Sequence, residues 1–130
     1  MIAIDTSVLI ATFTNEPDAD LYRPILAGAP CLIGAPTLLE THLVLRGRSY
    51  PYALEALDLW LEEGDVTVMP HDLLQLRLAR EAFDRFGKGR HPAGLNFGDC
   101  MAYAVAKAHD VPLLFKGDDF SRTDVRVLPV

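Results

Sequence analysis

The chain has 130 residues, half of them apolar, and a formal net charge of −6; this length and apolar content suit one α/β domain with a sizeable core. The acidic balance argues against capture of nucleic acid over a broad basic surface, though not against chemistry on it at a local site. No apolar run reaches the roughly 18 residues of a membrane span, and neither a signal peptide nor paired cysteine spacing is evident, so a cytoplasmic protein without disulfides or zinc is expected.

In chain order, Ile2-Ala3-Ile4 reads as a short buried strand ending at Asp5, with Thr6 or Ser7 capping a helix that starts near Val8. Asn15-Glu16-Pro17 opens a second helix towards Gly28, which Pro24 is expected to kink or shorten. Cys31-Leu32-Ile33-Gly34 is the next strand, and Pro36-Thr37 opens a helix with Glu40 in its first turn or two. After the break Gly47–Pro51, the helical spacing of Leu54, Leu57 and Leu61 predicts a helix from about Tyr52 to Glu62. Gly64-Asp65 turns into the strand Val66–Met69, and His71-Asp72 leads into an amphipathic helix reaching Phe86. The glycines and proline between Gly87 and Leu95 mark a loop. A helix then runs from Asn96-Phe97-Gly98-Asp99 to His109, followed by strands at Leu113–Phe115 and Val125–Leu128. Such alternation predicts a parallel central sheet with helices on both faces, one domain over 1–130.

Acidic signatures punctuate this pattern at Asp5-Thr6-Ser7, Glu40, Gly98-Asp99-Cys100 and Gly117-Asp118-Asp119-Phe120. Ligands of open parallel sheets bind beyond the carboxyl ends of the strands. Asp5 and the pair Asp118/Asp119 follow strands, while Glu40 and Asp99 lie near helix starts, so the four can converge. A single acid at a helix start is ordinarily a cap, and Asp99 alone is open to that reading. Several carboxylates together, without lysine or arginine among them, call for a divalent cation such as magnesium, with manganese as an alternative.

These residues resemble the PIN domain and, within it, the VapC-type ribonuclease toxins. Ile4-Asp5-Thr6-Ser7-Val8-Leu9-Ile10 is similar to the family's first strand and first catalytic Asp, and Pro36-Thr37-Leu38-Leu39-Glu40 to its helix-borne Glu. Leu95–Cys100 is similar to the segment of the third acid, and Leu114–Phe120 with Thr123-Asp124 to the C-terminal signature of one subgroup. The resemblance implies a magnesium- or manganese-dependent endoribonuclease neutralised by a cognate VapB-type antitoxin. Asp5 and Asp99 would be the principal metal ligands, with Glu40 completing the pocket directly or through water. Many family members carry the fourth acid where Gly117 stands; here Asp119 is the first choice and Asp118 the second. The family also implies a homodimer, an RNA substrate of the tRNA or rRNA class, an antitoxin arginine reaching into the acidic pocket, and Thr6 or Ser7 supporting Asp5.

Other features have plainer readings. Lys88-Gly89-Arg90-His91 is either a solvated face or a contact for RNA phosphates at the cleft edge. His42, His71, His91 and His109 lack metal-ligand spacing, and Cys100 lacks a local base. Trp60 lies on a helical stripe suited to core or dimer interface, and Tyr50 and Tyr52 are expected to pack. Competing functions are a catalytically inactive PIN-like binding module and a haloacid-dehalogenase-like phosphatase. The phosphatase needs an Asp where Ser7 stands.

Overall fold

The computed structural model describes residues 1–130. Four short strands, β1 (Ile2–Ile4), β2 (Cys31–Gly34), β3 (Val66–Met69) and β4 (Leu113–Leu114), form a parallel sheet in the order β3-β2-β1-β4. Six helices connect them: α1 (Thr6–Phe13), α2 (Ala19–Gly28), α3 (Ala35–Gly47), α4 (Ala53–Glu63), α5 (Leu73–Phe86) and α6 (Phe97–His109). The chain steps outward from β1 to β3, then crosses back to lay β4 on the other side of β1. That reversal creates a switch point at the carboxyl ends of β1 and β4, where a crevice opens.

Alternation along the strands divides the core. Ile2, Ile4, Cys31, Ile33 and Leu114 face α1 and α2, meeting Val8, Leu9, Tyr22 and Leu26. Ala3, Leu32 and Leu113 point to the opposite face and meet α5 and α6 through Ala82, Tyr103 and Ala106. Both faces are covered, so the central strands are apolar throughout. A third cluster joins Ile10 of α1 to Leu45, Ala53 and Leu57 and fixes α3 and α4 against α1.

Three local expectations need correction. α2 begins at Ala19 because the preceding residues end α1: Asn15 has φ 55°, and the amides of Asn15 and Glu16 reach back to the carbonyls of Thr12 and Ala11, a left-handed helix stop. α2 continues through Pro24, whose missing N–H removes one intrahelical bond. The run Val125–Leu128 does not form a strand; it makes one parallel bridge, Leu113 to Val127. On one side of that bridge the Val111 amide is bonded to the Ala106 carbonyl and so is withheld from the ladder; on the other the chain passes into the left-handed region at Gly117, φ 113°. No helix is long and apolar enough to cross a membrane.

Candidate active site

Asp5 ends β1 and itself serves as the N-cap of α1, which starts at Thr6; neither Thr6 nor Ser7 takes the capping place expected of them, because the Asp5 carboxylate accepts the Ser7 amide. One carboxylate oxygen, Oδ2, accepts the Ser7 amide at 3.0 Å and the Ser7 hydroxyl at 2.6 Å. The Ser7 hydroxyl in turn accepts the Lys116 amide at 2.9 Å, joining the end of β1 to the loop after β4. The residue is 6% exposed. Burial raises its pKa above the ordinary value; the Ser7 hydrogen bonds oppose that rise, and the Glu40 charge adds to it.

Glu40 reaches the same cleft from the second turn of α3. Its Oε1 accepts the Thr6 hydroxyl at 2.6 Å. Thr6 is itself in contact with Thr41 Oγ1 at 3.4 Å, and Thr41 donates to the Thr37 carbonyl at 2.9 Å. These buried threonines hold the α1–α3 crossing together by hydroxyls, so Glu40 is oriented by the residue directly after Asp5.

Asp99 combines the two readings open in the sequence. With Asn96 it forms a reciprocal capping box: Asn96 Oδ1 accepts the Asp99 amide at 2.9 Å, and Asp99 Oδ2 accepts the Asn96 amide at 3.0 Å. It also lines the cleft that holds Asp5 and Glu40. Its pKa is pushed up to about 6 by burial, against the Asn96 amide bond that lowers it; Asp5, Asp119 and Glu40 push it further up.

The fourth signature divides differently. Gly117 lines the cleft, but its φ of 113° suits glycine, so the backbone itself accounts for the missing acid at that place. Asp118 and Asp119 are both exposed and lie outside the cleft lining. Buried Phe120, packed on Phe115, pins the 3₁₀ helix Asp119–Arg122, and Asp119 acts on Asp99 through its charge.

The cleft encloses about 530 Å³. Its rim carries residues that sequence reasoning did not assign to the site: Glu16, Arg48 and Lys116. Lys116 Nζ bridges Glu16 at 2.6 Å and Asp18 at 3.0 Å, and Arg48 stands 3.6 Å from Glu16. Glu16 carries no signal of its own in sequence; only the stop at the end of α1 turns it towards Lys116.

The donor set suits a hard divalent cation. The inner residues offer carboxylate and hydroxyl oxygens, the two cations at the rim are tied to Glu16 and Asp18, and burial, with a lesser part from neighbouring carboxylates, raises the pKa of Asp5 and Asp99. No group of three or more acidic, histidine or cysteine side chains stands close enough together to hold a metal ion.

Most of the other residues singled out in the sequence make packing contacts. His91 accepts the Ala93 amide through Nδ1 and meets the Phe86 ring edge-on, while Arg90 lies over Phe83; the loop packs on α5 and does not line the cleft. Burial, then the Asp99 charge, pushes the Cys100 thiol up to about 11, leaving it a poor nucleophile. Trp60 belongs to the core, tilted on Phe13 with Nε1 donating to the Leu26 carbonyl at 3.3 Å. Tyr52 does not pack: it is 77% exposed in a left-handed conformation before α4.

The family model described as the PIN domain matches residues 2–126. A protein of Mycolicibacterium smegmatis named Ribonuclease VapC is 46% identical over 95% of this chain and 97% of its own length. Ribonuclease VapC28 of Mycobacterium tuberculosis is 45% identical over 95% of this chain and 94% of its own length. Among solved structures, Mycobacterium tuberculosis VapC20, described as a sarcin-ricin loop cleaving toxin, superposes with a TM-score of 0.74 at 21% identity, covering 99% of this chain and 100% of that one. A toxin–antitoxin complex from Klebsiella pneumoniae gives 0.75 at 15% identity, over 100% and 98%. At these identities the structural matches speak to the fold.

Proposed function

This chain belongs to the PIN-domain family and is a relative of the VapC ribonucleases, and from that premise we propose that it is an endoribonuclease toxin neutralised by a cognate VapB-type antitoxin. The observation that carries the reading is the gathering of Asp5, Glu40 and Asp99, from β1, α3 and α6, on one cleft at the switch point of the sheet.

Asp5 and Asp99 would hold magnesium or manganese, with Glu40 directly or through water and Asp119 at the edge. When bound, the cation supplies charge to polarise a phosphate and to activate a water for in-line attack. The chain's own residues do the rest. Ser7 keeps Asp5 aimed by two hydrogen bonds to one oxygen. Thr6 does the same for Glu40, and the capping box fixes Asp99. Lys116 and Arg48 border the cleft, paired with Glu16 and Asp18, and would exchange those partners for the RNA backbone when substrate enters. The substrate is an accessible single-stranded loop of a structured RNA, of the tRNA or rRNA class, whose unstacked bases can enter a cleft. The active species is a homodimer.

The phosphatase alternative lacks its second Asp, and the hydroxyl at that place, Ser7, is engaged by Asp5 and Lys116. An inactive binding module would have no need of three oriented acids.

The test is cleavage-site mapping on total cellular RNA with wild-type protein and Asp5→Asn. A discrete set of cuts that needs magnesium or manganese, disappears in EDTA and is absent with Asp5→Asn is expected. Undiminished cutting by Asp5→Asn or in EDTA would sink the proposal.

A further inference from the structure

Gly98 is the second residue of α6 and is buried. Its backbone is ordinary: the glycines with positive φ are Gly89, Gly94 and Gly117. Nothing in the local conformation calls for glycine, and glycine in a helix is less favourable than alanine by up to about 1 kcal/mol. Space is what calls for it. A Cβ at position 98 would stand 2.1 Å from Glu40 Oε2, 2.6 Å from Oε1 and 2.7 Å from the carboxyl carbon. All three are far inside van der Waals contact.

The Glu40 carboxylate therefore rests in the space that any side chain at 98 would fill. Its other hold is the Thr6 hydroxyl, 2.6 Å away. Thr6 follows Asp5 and Gly98 precedes Asp99, so Glu40 is lodged between the neighbours of the other two acids. The N-terminal turn of α6 also favours a negative charge.

We propose that Gly98 is a positioning residue of the acidic site, its missing side chain forming the slot that holds Glu40 beside Asp5 and Asp99. The inference rests on the assignment of Glu40 to the nuclease site made above. Because the obstructed group is the end of a flexible side chain, alanine at 98 moves Glu40 aside and leaves the fold in place. The signature of this role is a protein at least as stable as wild type with a damaged site.

The experiment compares wild type, Gly98→Ala, Glu40→Ala and the double variant. Four quantities are measured: manganese affinity by titration calorimetry, RNA cleavage, melting temperature in EDTA, and the crystal structure of Gly98→Ala. Gly98→Ala is expected to weaken manganese binding and slow cleavage by about tenfold or more, to melt no lower than wild type, and to lose the Thr6–Glu40 hydrogen bond. Added to Glu40→Ala, it should change neither affinity nor cleavage further, because it acts through Glu40. A retained Thr6–Glu40 bond, wild-type manganese affinity, or an additive loss in the double variant would overturn the proposal. Full cleavage by Glu40→Ala would instead sink the assignment of Glu40, while a lost Thr6–Glu40 bond in Gly98→Ala would still support the slot.

Discussion

Replacing Asp99 with asparagine should inactivate the protein and, with metal removed, make it more stable. The Asp99 pKa stands at about 6 against an ordinary 3.8, so its ionised form opposes folding. At about 1.4 kcal/mol per pKa unit this amounts to roughly 3 kcal/mol, and partial exposure reduces it to about 2 kcal/mol. Asparagine removes the charge, relieves the repulsion with Asp5, Glu40 and Asp119, and can still accept the Asn96 amide through its carbonyl oxygen. The sign follows from linkage: the penalty is absent below the unfolded pKa, builds as pH rises to about 6, and is constant above it. For a domain of this size about 2 kcal/mol raises the melting temperature by about 5 to 10 °C. The assay is thermal unfolding of both proteins in EDTA at about pH 7.5 and about pH 4, where most of the difference should vanish. Saturating magnesium should reverse the order at neutral pH by stabilising wild type. An Asp99→Asn protein that melts below wild type in EDTA at neutral pH, or gains equally at both pH values, would refute the reasoning.

Ser7→Ala removes the hydroxyl shared by Asp5 and the Lys116 amide; cleavage should fall about 10- to 100-fold with the circular dichroism spectrum unchanged, and wild-type rates would show that Asp5 needs no such support. Tyr103→Phe deletes the 2.6 Å hydrogen bond to Asp124 and should cost about 1–2 kcal/mol in urea unfolding without altering cleavage per folded molecule. Burial raises the Asp124 pKa, but the Tyr103 and Lys107 hydrogen bonds and the Lys107 and Arg85 charges outweigh it and hold the value low. The Tyr103 contribution is thus full at neutral pH and should shrink as pH falls through the Asp124 pKa; a difference independent of pH would contradict that coupling.

Much of the site was legible because its acids mark the ends of elements. Asp5 follows three apolar residues and Asp99 sits in a capping box with Asn96, so periodicity and helix-start chemistry locate both. Glu40 was found from its helix and from the family resemblance. The strands β1, β2 and β3 were read within their observed limits. The C-terminal run was not: Val125–Leu128 has strand composition, yet whether it pairs depends on where the chain turns beside it, at Gly117. The basic loop Lys88–His91 has the composition of a phosphate contact, and its placement of Arg90 over Phe83 and His91 against Phe86 is a tertiary contact that composition does not reveal.

The sequence by itself marked the six helices and the four strands of the sheet, though it added a fifth, and it marked the three acids and the oxygen-rich chemistry they imply, because these depend on residue type and local spacing. Only the tertiary structure decided that Ser7 and Thr6 each orient a different acid, and that the Asp119 charge acts on Asp99. It also decided that Lys116 is tied to Glu16 and that Gly98 must lack a side chain where Glu40 lies. Apart from the Ser7–Asp5 pair, these join segments far apart in the chain. Local propensity carries no information about such distances; the packing of α1, α3 and α6 around the end of β1 sets them.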